Sequence, residues 1–370
     1  MISPSTIEPG GETVTSTESP ELLCSYNWQL TESGENLICV PGAPPVWTPH
    51  TLPIKLDRDE GPRLVDQHAY RLPKYPFEPV FCAMDVMNPQ RQLDDVDIIA
   101  NRNSLRKLLD FAAGRSQEPF RIDLHLVRQT LFLTRREESA LIMTSGRRNT
   151  GGYGQNFEKT FTTPVAGLES SSSHHRVIKY RLGSLICAVH FEIDAQYDDP
   201  DALGVQSDVA RDLAASMEHL ALQAPVLPNN KAGSIRVALG GTPVPASRLA
   251  ELKAKKKVQI SQAMPQLWFG RTPYLIIGKH VDGRVEDIIC THAAERFDGW
   301  EAQHQASLRR LVDLLAWLRE KVRGMKRERA TLLYDESGGD LQMLEGSTGR
   351  GGLEAVLPDD IIKKYWTRRR

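Results

Sequence analysis

Residues Leu185–Asp194, reading LICAVHFEID, constrain the fold more than any other segment. A β-strand turns alternate side chains to opposite faces. Leu185, Cys187, Val189 and Phe191 then share one face, while Ile186, Ala188, His190, Glu192 and Asp194 share the other. Two acids side by side on a strand with an apolar opposite face need a partner. Further along, Glu251-Leu252-Lys253 aims an acid and a base at one point in the same way. Upstream lies Gly154-Gln155-Asn156-Phe157-Glu158, and downstream Gln266. Three or four carboxylates converging beside one lysine repel one another unless divalent cations sit between them. That mixture suits metal-assisted attack of water on a phosphodiester or pyrophosphate.

Composition neither supplies nor forbids such a site. The net charge of −1 over 370 residues gives no global attraction for nucleic acid. Any groove for it must come from local clusters, such as Lys253 with Lys255–Lys257, or Lys321, Arg323, Lys326, Arg327 and Arg329. Arg368-Arg369-Arg370 reads as a frayed tail or a short nuclear-import signal. The five cysteines show no metal-ligand spacing, which fits a reducing compartment and argues against a zinc site. Cys187 and Cys290 lie in apolar runs and read as small core hydrophobes. Residues 1–20 have the character neither of a signal peptide nor of a transit peptide, and no apolar run approaches the ~20 residues that span a membrane. A soluble protein of the nucleus, the cytoplasm or both is expected.

The first 20 residues offer little apolar surface and read as a disordered tail. Residues 21–100 read as an extended arm packed on the core, with prolines dense from Pro41 to Pro79 and Trp47, Tyr70, Tyr75 and Phe77 as anchors. Residues 101–370 form the core. Asn103–Phe111 has helical spacing, and Phe120–Leu126 and Thr130–Thr134 are short strands with a turn near Arg128. Ser207–Leu222 reads as a helix, 225–233 as a linker and Ile235–Leu239 as a strand. Leu267–Ile277 and Arg284–Ile289 pair around Asp282-Gly283, a tight-turn dipeptide. Trp300–Lys321 is the clearest helix. The fold class is α/β: one domain with a mixed, twisted sheet flanked by helices.

Taken in order, the motifs resemble the DXO family of RNA 5′-end decapping nucleases, relatives of the PD-(D/E)XK nucleases. Arg102-Asn103-Ser104-Leu105-Arg106-Lys107-Leu108 stands where that family has Arg-Gly-x-x-(Thr)-Lys-(Leu/Ile), departing at Asn103 and Arg106. Gly154–Glu158 matches Gly-x-x-Phe-Glu, Glu192–Asp194 matches Glu-x-Asp, and Glu251–Lys253 matches Glu-x-Lys. Gln266, Gly270 and the stretch Pro273–Gly283 follow as the family has them. The likeness runs from Arg102 to Gly283, with a longer insert between Asp194 and Glu251, as in a divergent branch. It implies a PD-(D/E)XK-like nuclease core and two Mg²⁺ or Mn²⁺ ions held by Glu158, Glu192, Asp194 and Glu251, with the Leu252 carbonyl as a further ligand. Lys253 would position or activate the attacking water, Gln266 would hold that water or a phosphate oxygen, and Arg102 would contact the substrate phosphate. The implied partner is an RNA 5′ end. The rival readings are a scaffold that stabilises a 5′→3′ exoribonuclease, and a DNA-cleaving nuclease.

Plainer readings stand beside these. Glu158 alone is an ordinary surface acid. Arg248–Lys255 has helical propensity, whereas the resemblance needs a strand there. Gly151–Gly154 reads as a hinge, since it lacks the phosphate-loop pattern. Pro200 spoils Asp198-Asp199-Pro200-Asp201 as a helical metal motif. Ser171–His175 reads as a flexible loop, and Trp47, Trp268, Trp300 and Trp317 as core.

Overall fold

The computed structural model describes residues 1–115, 117–144, 151–198, 235–335, 339–346 and 355–367. The elements that position the site are β1 (Glu21–Gln29), α1 (Arg102–Ala112), α2 (Gly154–Phe161), β2 (Ser171–Leu182), β3 (Leu185–Ile193), β4 (Leu249–Lys255), α3 (Ile260–Gly270), β5 (Tyr274–Val281), β6 (Arg284–His292) and α4 (Phe297–Arg323). Among the described residues they belong to a ten-stranded sheet, a seven-stranded sheet and the helices that cover them. In the larger sheet β1, β2 and β3 run antiparallel, and β3 then pairs parallel with Ile98–Asn101. In the smaller one β4 pairs parallel with β5, which folds back antiparallel on β6.

The alternation of β3 sets where its side chains go. Cys187, Val189 and Phe191 enter a core shared with Leu105, Leu108 and Leu109 of α1 and with Leu311, Leu314 and Leu315 of α4. Leu249, Leu275 and Ile277 of the smaller sheet reach the same core, so both sheets belong to one α/β domain. After Ile193 the chain leaves the larger sheet, and Ala195–Gln196 joins the smaller one by pairing with Ala250 and Leu249 of β4. Asp194 is the residue at that seam, which brings the end of β3 beside β4.

Two glycines of the Pro273–Gly283 stretch have definite work. Gly278 lies against Phe157, where an added Cβ would meet the ring at 2.2 Å. No flexible side-chain end is there to yield, so only glycine lets α2 pack this closely. Gly283 and Asp282, with φ of 86° and 48°, close the β5–β6 hairpin as the tight-turn dipeptide predicts.

Several expectations change. Residues 1–20 are not a free tail: the backbone of Gly10 donates to the Asp313 carboxylate, and Val14 exchanges hydrogen bonds of 3.1 and 2.7 Å with Gln305 along α4. Val14 and Ile2 are buried in the core and Ile7 packs against it, so a few apolar residues and a line of polar groups on α4 lay the segment down. Residues 21–41 are core strands rather than arm, with β1 between β2 and Leu37–Pro41. Ser171–His175 starts β2; its polar side chains are paired internally, as in His174 Nδ1 to Asn27 Oδ1 at 2.7 Å. Leu267–Gly270 completes α3 instead of opening a strand. Arg248–Lys255 is extended over most of its length, because pairing with β5 overrides helical propensity. Cys290 is exposed on β6, and Trp317 is 40% exposed. The helix at Ser207–Leu222, the linker at 225–233, most of the Asp198–Asp201 motif and Arg368–Arg370 lie outside the described residues. Among the described residues no helix is long and apolar enough to cross a membrane.

Candidate active site

Four carboxylates from three elements meet at the seam between the sheets. Glu158 rides on α2, Glu192 is the last residue but one of β3, Asp194 follows that strand, and Glu251 lies in β4. Asp194 Oδ2 accepts the backbone N–H of Leu252 at 2.8 Å, which ties the end of β3 to β4. Glu251 is 3% exposed, and its charge is met from two sides. Lys253 Nζ donates to its Oε1 at 3.0 Å, Gln266 Nε2 donates to the same oxygen, and Arg102 Nη2 lies 3.4 Å from Oε2. Lys253 also donates to Gln266 Oε1 at 3.3 Å. Arg102 stacks over Phe191, 5.2 Å from the ring centre. The structure therefore brings together Glu158, Glu192, Asp194, Glu251, Leu252, Lys253, Gln266 and Arg102, residues that span 164 positions of sequence between 102 and 266.

The acids divide electrostatically. Burial works to raise the Glu251 pKa, but Lys253, Arg102 and Arg106 outweigh it and hold the carboxyl below its ordinary value. On the other three, burial and neighbouring acids outweigh the cations, which are Lys253 for Glu158 and Asp194, and Arg102 and Arg63 for Glu192. Burial, then the charges of Glu192 and Glu251, push Glu158 up to about 8. The surrounding protein, then Glu251, lifts Glu192 to about 7. Glu192 remains open to water on the floor of a concave cleft. Asp194 is raised well above its usual range by burial, Glu251 and Glu158. Carboxylates crowded in this way are short of positive charge.

A consequence follows for pH. Acids whose pKa is raised on folding keep protons that the unfolded chain has already released, so the cation-free protein loses stability as pH rises from 4.5, the ordinary glutamate value, through about 7 and about 8. The depressed Glu251 acts in the opposite sense only below 4.5. The melting temperature of chelator-treated protein should fall between about pH 6 and about pH 8.5, and Mn²⁺ should restore it most at the upper end. Mn²⁺ uptake near neutrality should release protons, visible as a buffer-dependent binding enthalpy. A melting temperature that rises over this range would contradict the crowding.

The sequence missed the supports of this site. Asp59, from the proline-rich arm, accepts the backbone N–H groups of Gln155 at 3.2 Å and Asn156 at 2.9 Å, capping the start of α2. Trp47 stacks on Phe161 of the same helix at 5.5 Å. Arg63 acts on Glu192, and Arg106 acts on Glu251. A cleft of about 370 Å³ opens above, lined by Arg102, Arg135, Asn101, Gln67, Glu158 and Glu192 among others. An Asp before glycines is a cap signal only when local, and Asp59 is almost a hundred residues from the helix it caps. Among the described residues, the tight group of three metal-type side chains is a different one, His68, His175 and His190, on another wall of this cleft.

Solved structures share the architecture. S. pombe Rai1 matches with a TM-score of 0.58 at 13% identity, over 93% of this chain and 98% of its own. Scheffersomyces stipitis Rai1, in complex with (3′-NADP)⁺ and calcium ion, matches at 0.59 and 14% identity over 94% of each chain. Candida albicans Rai1, in complex with pU5-Mn²⁺, matches at 0.55 and 12% over 97% of this chain and 99% of its own. No curated protein matches the sequence. The family described as a domain of unknown function, DUF8563, matches residues 1–366, so the chain belongs to that family and is built on the fold of these Rai1 structures.

Proposed function

We propose that the protein is a divalent-metal-dependent hydrolase of RNA 5′ ends, removing an incomplete or unusual cap, a pyrophosphate or 5′ nucleotides. The observation that carries this is the convergence of Glu158, Glu192, Asp194 and Glu251 with Lys253 beneath an arginine-lined cleft. The donor set fits Mg²⁺ or Mn²⁺: it is all oxygen, and burial and mutual repulsion raise three of its carboxyls despite Lys253, Arg102 and Arg63 nearby. Glu158, Glu192, Asp194 and Glu251 would hold two such ions, with the Leu252 carbonyl as a further ligand. Bound there, the ions would polarise the phosphate and acidify the attacking water.

The remaining work falls to the protein's own groups. Lys253 presents an ammonium already anchored by Glu251 and Gln266, so it needs little reorganisation to meet charge developing on a phosphate oxygen. The Gln266 amide orients the water or a phosphate oxygen beside it. Arg102 lines the cleft with its Nη2 3.4 Å from Glu251 Oε2, so its guanidinium stands beside the carboxylates where a substrate phosphate would enter. Arg63 and Arg135 add positive charge near the cleft. The relatives' bound nucleotides, pU5 with Mn²⁺ and (3′-NADP)⁺ with calcium, support a nucleotide 5′ end as the substrate. On this reading the protein would act in the nucleus, the cytoplasm or both.

The test is a panel of RNAs carrying a 5′-triphosphate, an NAD cap or a 5′-monophosphate, incubated with Mg²⁺ or Mn²⁺. At least one should be processed, EDTA should abolish the reaction, and DNA of the same sequence should survive. Inactivity on every RNA with metal present would overturn the proposal. Cleavage of the DNA instead would move it to the DNA-cutting nucleases.

A further inference from the structure

Three imidazoles outside the carboxylate cluster meet on the wall of the same cleft. His68 comes from the short helix Gln67–Arg71, His175 from β2 and His190 from β3. All three are buried, yet all three line the cleft, so an ion has a path to them. One nitrogen from each lies within 4.8 Å of the other two. The ring centres are 4.5, 4.6 and 5.2 Å apart. An ion at about 2.0–2.1 Å from one nitrogen of each ring sits ~3.2 Å from each ring centre, and near-tetrahedral angles then put the centres ~5 Å apart. The observed ring-centre spacings lie within about half an ångström of that value.

We propose that His68, His175 and His190 form a binding site for a transition-metal ion of the Zn²⁺ class, distinct from the carboxylate site. Three neutral imidazole nitrogens suit Zn²⁺, Co²⁺ or Fe²⁺ and disfavour Mg²⁺, which wants oxygen. His175 Nδ1 is buried with no hydrogen-bond partner, a vacancy a ligand would explain. Burial, then the Arg71 charge, lowers the His68 pKa to about 3, so no proton competes for its lone pair near neutrality. An outer contact fixes His175: Ser173 Oγ, whose hydrogen goes to Gln67 Oε1, accepts from His175 Nε2–H at 2.9 Å and leaves Nδ1 with its lone pair. The Tyr26 hydroxyl, 2.6 Å from His68 Nε2 and 3.2 Å from His190 Nε2, stands where a fourth ligand would.

The probe is Co²⁺ alone, titrated into chelator-stripped full-length protein in a large excess of Mg²⁺, with the visible spectrum recorded. About one equivalent should bind with the strong absorption of a four-coordinate ion, and Zn²⁺ should displace it. His175→Ala should weaken Co²⁺ binding at least ~tenfold. Glu251→Gln, which alters only the carboxylate cluster, should leave the band in place, so this site and the hydrolase reading can fail separately. Absence of the band in the wild-type protein, or its persistence in His175→Ala, would overturn the site. The wild-type titration decides the matter even where the variant fails to fold.

Discussion

Asp194→Asn should cut metal-dependent turnover at least about tenfold while leaving the protein folded. The substitution keeps the side-chain size, and the amide oxygen can still accept the Leu252 N–H that now reaches Asp194 Oδ2 at 2.8 Å. Burial and the neighbouring Glu251 and Glu158 already hold the Asp194 pKa well above its usual range, so the cation-free site is prepared for a neutral group here. Removing one charge from a crowded set should leave the melting temperature of the metal-free protein unchanged or raised. The cation cage loses a hard anionic ligand, so Mn²⁺ affinity and single-turnover rate should fall together, each by at least about tenfold. Calorimetric titration beside a single-turnover assay reads both. Wild-type affinity and rate in this variant would remove Asp194 from the site.

Lys253→Met should separate the two effects. The methionine fills similar space but withdraws the ammonium that donates to Glu251 and Gln266. Glu251 keeps Arg102 at 3.4 Å and Arg106 nearby, so the buried carboxylate is not stranded. Metal affinity should stay within about threefold, because loss of a repelling cation offsets easier protonation of Glu251. Single-turnover rate should fall by about a hundredfold or more, since the lost group meets charge that develops only as the bond breaks. Parallel losses of metal affinity and rate would instead make Lys253 a scaffold for the acids.

The sequence announced what is local. The alternation in β3, the turn at Asp282-Gly283 and the stripe of α4 each depend on neighbours a few residues away, and they appear within a few residues of the expected bounds. β4 could not be read from its own residues, because Arg248–Lys255 favours a helix until β5 supplies hydrogen bonds along it. Only the order of motifs across the whole chain argued for a strand there. The supports are less legible still. Asp59 caps a helix almost a hundred residues later, and nothing around Arg63 signals that it will reach Glu192. The histidine trio comes from three separate segments, one of them a serine-rich run whose polarity suggests a loop. Burial of that run depends on partners such as Asn27, which come from another strand. Cys290 errs the other way: its apolar neighbours do not reveal that its face of β6 is left uncovered.

The acids at the seam between the two sheets are the proposed ligands of the catalytic divalent cations. Calorimetric titration of chelator-stripped protein with Mn²⁺, at a pH above about 8 where Glu158 is ionised, tests that assignment most directly. Saturable binding that Asp194→Asn weakens at least about tenfold, and that His175→Ala leaves unchanged, is the predicted result. Absence of Mn²⁺ binding in the wild-type protein, or equal binding in Asp194→Asn, would contradict it.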